Sequence, residues 1–226
     1  MRVVGLDGCK HGAWIAAHPG PTFEIIEDLR PLLQNAARGE LRIVLDVPIG
    51  LIATGRKCDA EARKRIGVRR NSVFTPPCLE ALVATSHTEA SRLNRAESGK
   101  GIAAQAFGIL RRIAAVDELM TPRLQSHIHE RHPEVSFCVI GGRCLAHPKK
   151  RPEGEVERLK ILAKNGLTFD PAAERLRLGR RRMERDGLID AAVMLLTALR
   201  IESGMAARLP TVEQHDSRGL LAEMWA

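Results

Sequence analysis

The chain has 226 residues, of which 44% are hydrophobic and 27% are charged, and this composition excludes a disordered, collagen-like or coiled-coil protein. Its longest nearly unbroken apolar run, Leu188 to Leu199, contains Asp190 and is too short to span a bilayer. The first residues lack the apolar stretch of a secretory signal, so we expect a cytoplasmic protein.

The net charge of +8 is concentrated in two short segments. Segment 56–72 carries seven basic and two acidic residues, and segment 175–185 carries six basic residues and one acidic residue. Together they contribute +10, so the remaining chain sums to −2. Basic segments are usually solvated faces, but they also suit a polyanion. With no Tyr and only 3% aromatic residues, we expect any nucleic acid to be bound through its backbone, in a salt-sensitive way.

Four strands and one helix are predicted in the first 46 residues. Apolar runs separated by Gly12 and by Pro19-Gly20-Pro21 predict a three-stranded antiparallel meander. Asp28 can cap a helix that accepts Pro31 in its first turn and ends at Gly39. A βββαβ order brings the fourth strand beside the first, most simply parallel to it. The predicted strands are Arg2 to Asp7, a strand around Trp14, Phe23 to Ile26, and Leu41 to Asp46.

The rest of the chain is predicted to be mainly helical, with one further strand. The predicted helices are 58–66, 88–96, 102–120, a helix after Pro133, 155–164 and 186–203, and the fifth strand is His127 to Arg131. No repeat or linker divides the sequence. We therefore predict one α/β domain over residues 1–226, with a helical and loop-rich insertion around residues 56–100.

Three aspartates end or interrupt apolar runs, where a lone charge is costly to bury. Asp7 ends the first strand and Asp46 the fourth, so parallel pairing would bring both carboxylates to one edge of the sheet. Asp190 lies in a predicted helix that is apolar on all sides, which is typical of a buried helix. Asp186 lies one turn earlier on the same face.

Three buried acids that converge repel each other and therefore need a cation. Ligand sets made of oxygen alone suit Mg²⁺ or Mn²⁺, and a pair of such ions can promote hydrolysis of a phosphodiester. Taken singly, each of these acids also suits a turn former or a helix cap, and Asp186 is the best candidate for a cap.

Five segments of the chain, in this order, resemble the signature blocks of the DUF429 family. They are Gly5 to Trp14, Asp46 to Leu51, Arg69 to Pro77, Glu130 to Phe137, and Asp186 to Ala191. The resemblance implies a ribonuclease-H-like fold, with a mixed five-stranded sheet flanked by helices. It also implies a metal-dependent nuclease that uses Mg²⁺ or Mn²⁺.

The resemblance also assigns residues to that activity. It places the catalytic, metal-binding acids at Asp7, Asp46, Glu130 and Asp190, of which the spacing alone indicates all but Glu130. The chain has Gly187 directly after Asp186, where a second Asp is usual in this block. Asp186 stays a candidate for an additional metal ligand.

Contacts with the substrate are predicted for residues of two kinds. Arg69, Arg70 and Ser72 lie in a matching block, and the forked donors of arginine suit phosphate oxygens. Lys10 can contact a phosphate, although a loop lysine is usually just solvated. His132 can support the carboxylates or transfer a proton.

A zinc site is not favoured. The five cysteines contain no C-x-x-C pair, so neither a zinc site nor a disulfide framework is indicated, and we expect reduced thiols. His127 and His129 share a strand face, but no cysteine lies at ligand spacing, so we interpret both as strand-surface residues.

Two other functions remain open beside the nuclease. The fold could serve as a non-catalytic module that binds nucleic acid or protein, since fold does not dictate function. An ATP-dependent phosphotransferase is suggested by the turn Asp7-Gly8-Cys9-Lys10, but such enzymes need a duplicated domain and a second glycine-rich phosphate loop.

Overall fold

The computed structural model describes residues Met1–Trp225. The strands are β1 (Arg2–Gly8), β2 (Trp14–His18), β3 (Thr22–Ile26), β4 (Leu41–Leu45), β5 (Ile128–Glu130), β6 (Arg208–Leu209) and β7 (Met224–Trp225). The α-helices are α1 (Arg30–Ala37), α2 (Lys57–Ile66), α3 (His87–Ser98), α4 (Ala104–Gly108), α5 (Leu110–Leu119), α6 (Pro122–Gln125), α7 (Pro133–Ile140), α8 (Pro152–Lys164), α9 (Pro171–Leu178) and α10 (Arg185–Glu202). Within this part of the chain, no helix is long and apolar enough to cross a membrane.

The chain divides into two compact units. The first comprises residues 1–46, 127–207 and 225, and the second comprises residues 47–126 and 208–224. The insertion predicted around residues 56–100 falls inside the second unit, which extends beyond it in both directions. Each unit has a hydrophobic cluster of its own.

The first unit is built on a mixed five-stranded sheet, as predicted. The strand order is β3-β2-β1-β4-β5. The first three strands form the antiparallel meander, and β4 and β5 continue the sheet parallel to β1. Helices α1 and α10 both pack against β4. The mixed α/β architecture predicted from the apolar runs is therefore confirmed.

Helix α10 lies directly on β1, and Gly5 makes this approach possible. A Cβ atom at Gly5 would lie 2.0 Å from the backbone nitrogen of Leu195 and 2.4 Å from the carbonyl oxygen of Ala191. Main-chain atoms of a packed helix cannot move aside as a flexible side chain can. The residue at which α10 crosses β1 is therefore glycine. Its neighbours in the strand, Val4 and Leu6, are apolar and buried.

Replacing Gly5 by alanine should force the helix and strand apart. We expect G5A to lower the free energy of unfolding by about 3 kcal/mol or more, which is the upper range for overpacking in a core. Urea unfolding followed by circular dichroism measures the change. The control is G108A, since a Cβ at Gly108 meets no atom within 4 Å. Equal stability of G5A and G108A would show that the helix does not constrain β1.

The second unit contains α2 to α6, with short 3₁₀ turns at Gly67–Ser72 and Leu79–Val83. The helix predicted over residues 102–120 is wrong as one element, because it divides into α4 and α5 at Gly108 and Ile109. A glycine inside a helix weakens it. The apolar stripe is nevertheless buried, with Ile102, Ala106 and Leu110 in one cluster.

Helix α9 is present where no helix was predicted. The pair Asp170-Pro171 could have predicted the start of this helix. The Asp170 carboxylate caps it by accepting hydrogen bonds from the backbone N–H groups of Ala172 and Ala173. Proline at the first helical position already has a suitable φ. The high density of arginine in segment 175–185 obscured this signal.

The prediction that His129 lies on the strand surface is wrong. Its side chain is buried, packs against Trp225 with ring centroids 4.9 Å apart, and lies 2.7 Å from an Arg42 guanidinium nitrogen. Burial and the charges of Arg42 and His127 lower the pKa of His129 to about 3. His129 is therefore a neutral core residue.

The low pKa of His129 predicts a loss of stability in acid. The unfolded histidine takes up a proton below about pH 6.5, whereas the folded one stays neutral until about pH 3. Stability should thus be complete above pH 6.5 and fall as the pH drops below it, by up to about 1.4 kcal/mol per unit.

The H129Q variant should show a shallower loss of unfolding free energy in that acid range. Urea unfolding at several pH values measures the slope of the unfolding free energy against pH. H11N, at an exposed histidine, serves as the control and should keep the wild-type slope. An unchanged slope in H129Q would contradict the assignment.

Candidate active site

The register of the sheet places Asp7 and Asp46 side by side. Leu6 pairs with Leu45 across β1 and β4, and each aspartate is the next residue along its strand direction. Because neighbouring residues in register share a face, both aspartates lie on the face that carries Gly5. This face is the one covered by α10. The two aspartates are therefore neighbours at one edge of the sheet, as the sequence predicted.

Helix α10 brings two more acids to this place. The carboxylate of Asp190 is buried, with 2% of the side chain exposed. Burial raises the pKa of Asp190, Lys149 partly opposes this, and the charges of Asp46 and Asp186 raise it further. A carboxylate oxygen of Asp7 lies 3.2 Å from the position that a Cβ on Gly187 would take. Glycine at position 187 therefore leaves room for Asp7 where a second Asp would crowd it.

A lysine pairs with the two acids of α10. The Lys149 ammonium donates to Asp190 Oδ2 at 2.6 Å and lies 3.5 Å from Asp186 Oδ2. Burial alone would lower the pKa of Lys149, but the charge and hydrogen bond of Asp190, with the charges of Asp7 and Asp186, raise it above its usual value. Lys149 is thus a permanent cation that the surrounding carboxylates hold in place.

A second lysine neutralises Asp186. The Lys150 ammonium lies 3.0 and 2.9 Å from the two carboxylate oxygens of Asp186. Burial tends to raise the pKa of Asp186, but the hydrogen bond from Lys150 and the charge of Lys149 lower it below its usual value. Asp186 lies in the first turn of α10 rather than at the cap, where Glu184 stands instead. The cap predicted at Asp186 is therefore wrong.

One oxygen of the site lacks a partner. Asp190 Oδ1 is buried and has no hydrogen-bond partner among residues Met1–Trp225. Leaving a buried acceptor unsatisfied is costly, so this oxygen is available to accept a bond from a ligand. As the side chains stand, no three acidic, histidine or cysteine residues of the described chain form a group that could hold one metal ion.

Glu130 is not brought onto the face of the other acids. It pairs with Leu45, so alternation places its side chain on the opposite face from Asp46. The next residue, Arg131, is buried and donates from Nε to Ser136 Oγ, which lies 3.0 Å from Thr197 Oγ1 of α10. The position beside Asp46 on the α10 face is thus an arginine.

The predicted substrate contacts fall in different places. Lys10 pairs with Glu184 at 3.3 Å, and His132 is the N-cap of α7, where its Nδ1 accepts from the N–H of Glu134. Arg69, Arg70 and Ser72 lie in the 3₁₀ turn of the second unit. Two of these, Arg70 and Ser72, line a groove in that unit.

The sequence predicted the acids but not their counter-charges. Lys149 and Lys150 belong to a polar loop between α7 and α8, and their basic run gave no indication of a partner. A buried carboxylate needs a positive charge nearby, and this requirement could have indicated that such lysines exist. The requirement does not identify which residue supplies the charge.

The model of one protein family matches residues 5–215, and its description is "Protein of unknown function (DUF429)". The chain belongs to the DUF429 family. The match covers nearly the whole chain, including Asp7, Asp46, Asp186 and Asp190. No curated protein and no solved structure matches the chain in the corresponding comparisons.

Lys149 and Asp190 should stabilise the DUF429 chain as a coupled pair. We expect K149M to lower the free energy of unfolding by about 1–2 kcal/mol at pH 7.5. That is less than for a fully buried pair, because the Lys149 side chain is 41% exposed and screened by solvent. The deficit should shrink at pH 5, since Asp190 without its cation binds a proton more readily.

A double-mutant cycle with K149M, D190N and K149M/D190N tests this coupling. The double variant should be more stable than the sum of the single changes predicts, because no uncompensated charge remains. If the changes in unfolding free energy measured with urea were additive, Lys149 and Asp190 would not be a coupled pair. K160M, at an exposed lysine on α8, is the matched control.

Proposed function

We propose that this protein is a metal-dependent nuclease with a ribonuclease-H-like first unit, which hydrolyses phosphodiester bonds of DNA or RNA. The observation that carries the proposal is the group of four aspartates, Asp7, Asp46, Asp186 and Asp190. Elements far apart in sequence supply them: the charges of Asp7, Asp186 and Asp190 act on Lys149, and the charge of Asp46 acts on Asp190. The βββαβ order with β4 parallel to β1 supports the fold assignment.

The side chains present suit Mg²⁺ or Mn²⁺. All four donors are carboxylates, which these ions prefer. The buried, unpartnered Oδ1 of Asp190 offers an acceptor that no residue in the described part of the chain uses. Asp7, Asp46 and Asp190 would hold the metal, with Asp186 as a further ligand. Glu130 is left out of this set because alternation places it on the other face.

The ammonium of Lys149 marks where positive charge is stable in this site. To admit a divalent ion, the Lys149 side chain must leave Asp190, and its exposed fraction of 41% shows a route to solvent. Once displaced, Lys149 and Lys150 can pair with phosphate oxygens in place of the carboxylates. Both lysines would then hold the substrate rather than the acids.

Two ions held here would stabilise the charge that develops on the phosphate and lower the pKa of the attacking water. The fold of the chain would position the carboxylates that hold these ions. Asp7 and Asp46 are fixed by the register of two strands, and Asp190 by the close crossing of α10 on β1. Rigid elements keep such a site in its productive geometry.

The D7N variant should lose metal-dependent cleavage. We expect the rate on a labelled oligonucleotide with Mn²⁺ to fall at least about a hundredfold, because one carboxylate charge is lost at the metal site. Binding of Mn²⁺, followed by electron paramagnetic resonance, should weaken in parallel.

D28N is the matched control, at an exposed aspartate that pairs with Arg30, and E130Q should keep its Mn²⁺ affinity. Cleavage at the wild-type rate by D7N would refute the nuclease.

A non-catalytic binding module is the second candidate. The observation that favours it is that Lys149 and Lys150 already neutralise Asp190 and Asp186, as in a structural ion-pair network. In that case the protein would bind no Mn²⁺, and K149M would not change this. Under the nuclease proposal, K149M should bind Mn²⁺ more tightly than the wild type, since the competing cation is gone.

A further inference from the structure

The second unit contains a groove of about 980 Å³ that is lined by several basic residues. Its walls are the N-terminal end of α2, the 3₁₀ turn Gly67–Ser72 with the segment after it, and the segment that follows α3. The volume is at the upper end of the range for ligand pockets in proteins. The basic residues of its lining are Arg56, Lys57, Arg63, Arg70 and Lys100, and its acid is Asp59.

The charge of this groove is strongly positive. Asp59 is buried beside Arg56, with an Arg56 guanidinium nitrogen 3.7 Å from its Oδ1, so these two charges cancel locally. The other four basic residues, Lys57, Arg63, Arg70 and Lys100, form no ion pair with an acid of residues Met1–Trp225. Uncompensated positive charge in a concave site attracts anions strongly, because the walls exclude part of the screening solvent.

The walls of the groove are held by hydrogen bonds. Arg63 donates to the carbonyl oxygen of Val73 at 2.8 Å and to Thr75 Oγ1 at 3.0 Å, which fixes the segment after the 3₁₀ turn. On the facing wall, Asn94 donates to the carbonyl oxygen of Lys100 at 2.8 Å. The positive side chains therefore project from a backbone that is ordered before any ligand binds.

The basic surface continues beyond the groove. A shallower depression of about 630 Å³ shares Arg63, Arg70 and Asn71 with it and adds Lys64. Charges spread along a track suit a ligand with several phosphates in a row better than a single small anion. Half-buried Phe74 is the one aromatic residue in the lining. Recognition would therefore depend on the phosphate backbone rather than on stacking of several bases.

We propose that this groove binds the phosphates of a single nucleic-acid strand through Lys57, Arg63, Arg70 and Lys100. The inference rests on the proposed function only for the class of ligand, because the charge of the groove itself calls for a polyanion. It does not require cleavage. It also assigns the predicted substrate contact of Arg70 to a site that includes Lys57 at the start of α2 and Lys100 after α3.

Binding can be measured separately from catalysis by fluorescence anisotropy in EDTA. The probe is a labelled single-stranded DNA of about 15 nucleotides, which is in the range of strand lengths that such sites cover. We expect K57Q/K100Q to bind about tenfold more weakly than the wild type. The slope of log affinity against log salt should fall by about 1.4, because two phosphate contacts are lost. R70Q should lower the affinity and the slope by about half as much.

The matched control is K160Q/K164Q, which removes the same charge from exposed lysines of α8 and should keep the affinity within about twofold. Circular dichroism confirms that the variants are folded. Equal losses in the two double variants, or displacement of the probe by polyglutamate at the same charge concentration, would overturn the proposal. A wild-type protein that binds the strand in EDTA but never cleaves it would refute the nuclease alone.

Discussion

The direct contact between the backbones of α10 and β1 constrains the first unit more than any other feature. It exists because residue 5 has no side chain, so a helix can lie where a Cβ atom would otherwise meet Ala191 and Leu195. Asp190 immediately precedes Ala191, which lies against Gly5, and Asp190 is therefore buried beside β1. A contact between apolar elements thus decides where a charge must lie.

The buried carboxylate in turn decides the arrangement of charge around it. Water cannot solvate Asp190, so positive charge has to come from the chain or from a ligand. In this structure Lys149 supplies it, and Lys150 does the same for Asp186. The same four acids can serve as a structural ion-pair network or as a cation site. The two functions differ only in which positive charge occupies the centre.

The two units carry opposite chemistry. The acids, which the family match also covers, belong to the first unit, whereas the basic segment 56–72 belongs to the second. Within the second unit the basic residues do not form a uniformly solvated face. Arg56 is neutralised in the interior, Arg63 holds a wall of the groove that it also lines, and Lys57 and Lys100 form no ion pair with an acid among residues 1–225. Net charge alone could not have separated these roles.

Local patterns in the sequence determined the strands, most helices and the positions of Asp7, Asp46 and Asp190, because apolar periodicity and chain breaks depend on neighbouring residues. Only the tertiary structure decided that Lys149 lies among the acids, that His129 is buried and neutral, and that Glu130 is on the other face of the sheet. Those facts depend on register and on contacts between distant segments, which are set by packing of the whole chain. The sequence established that a buried acid needs a partner, and the fold selected which residue it is.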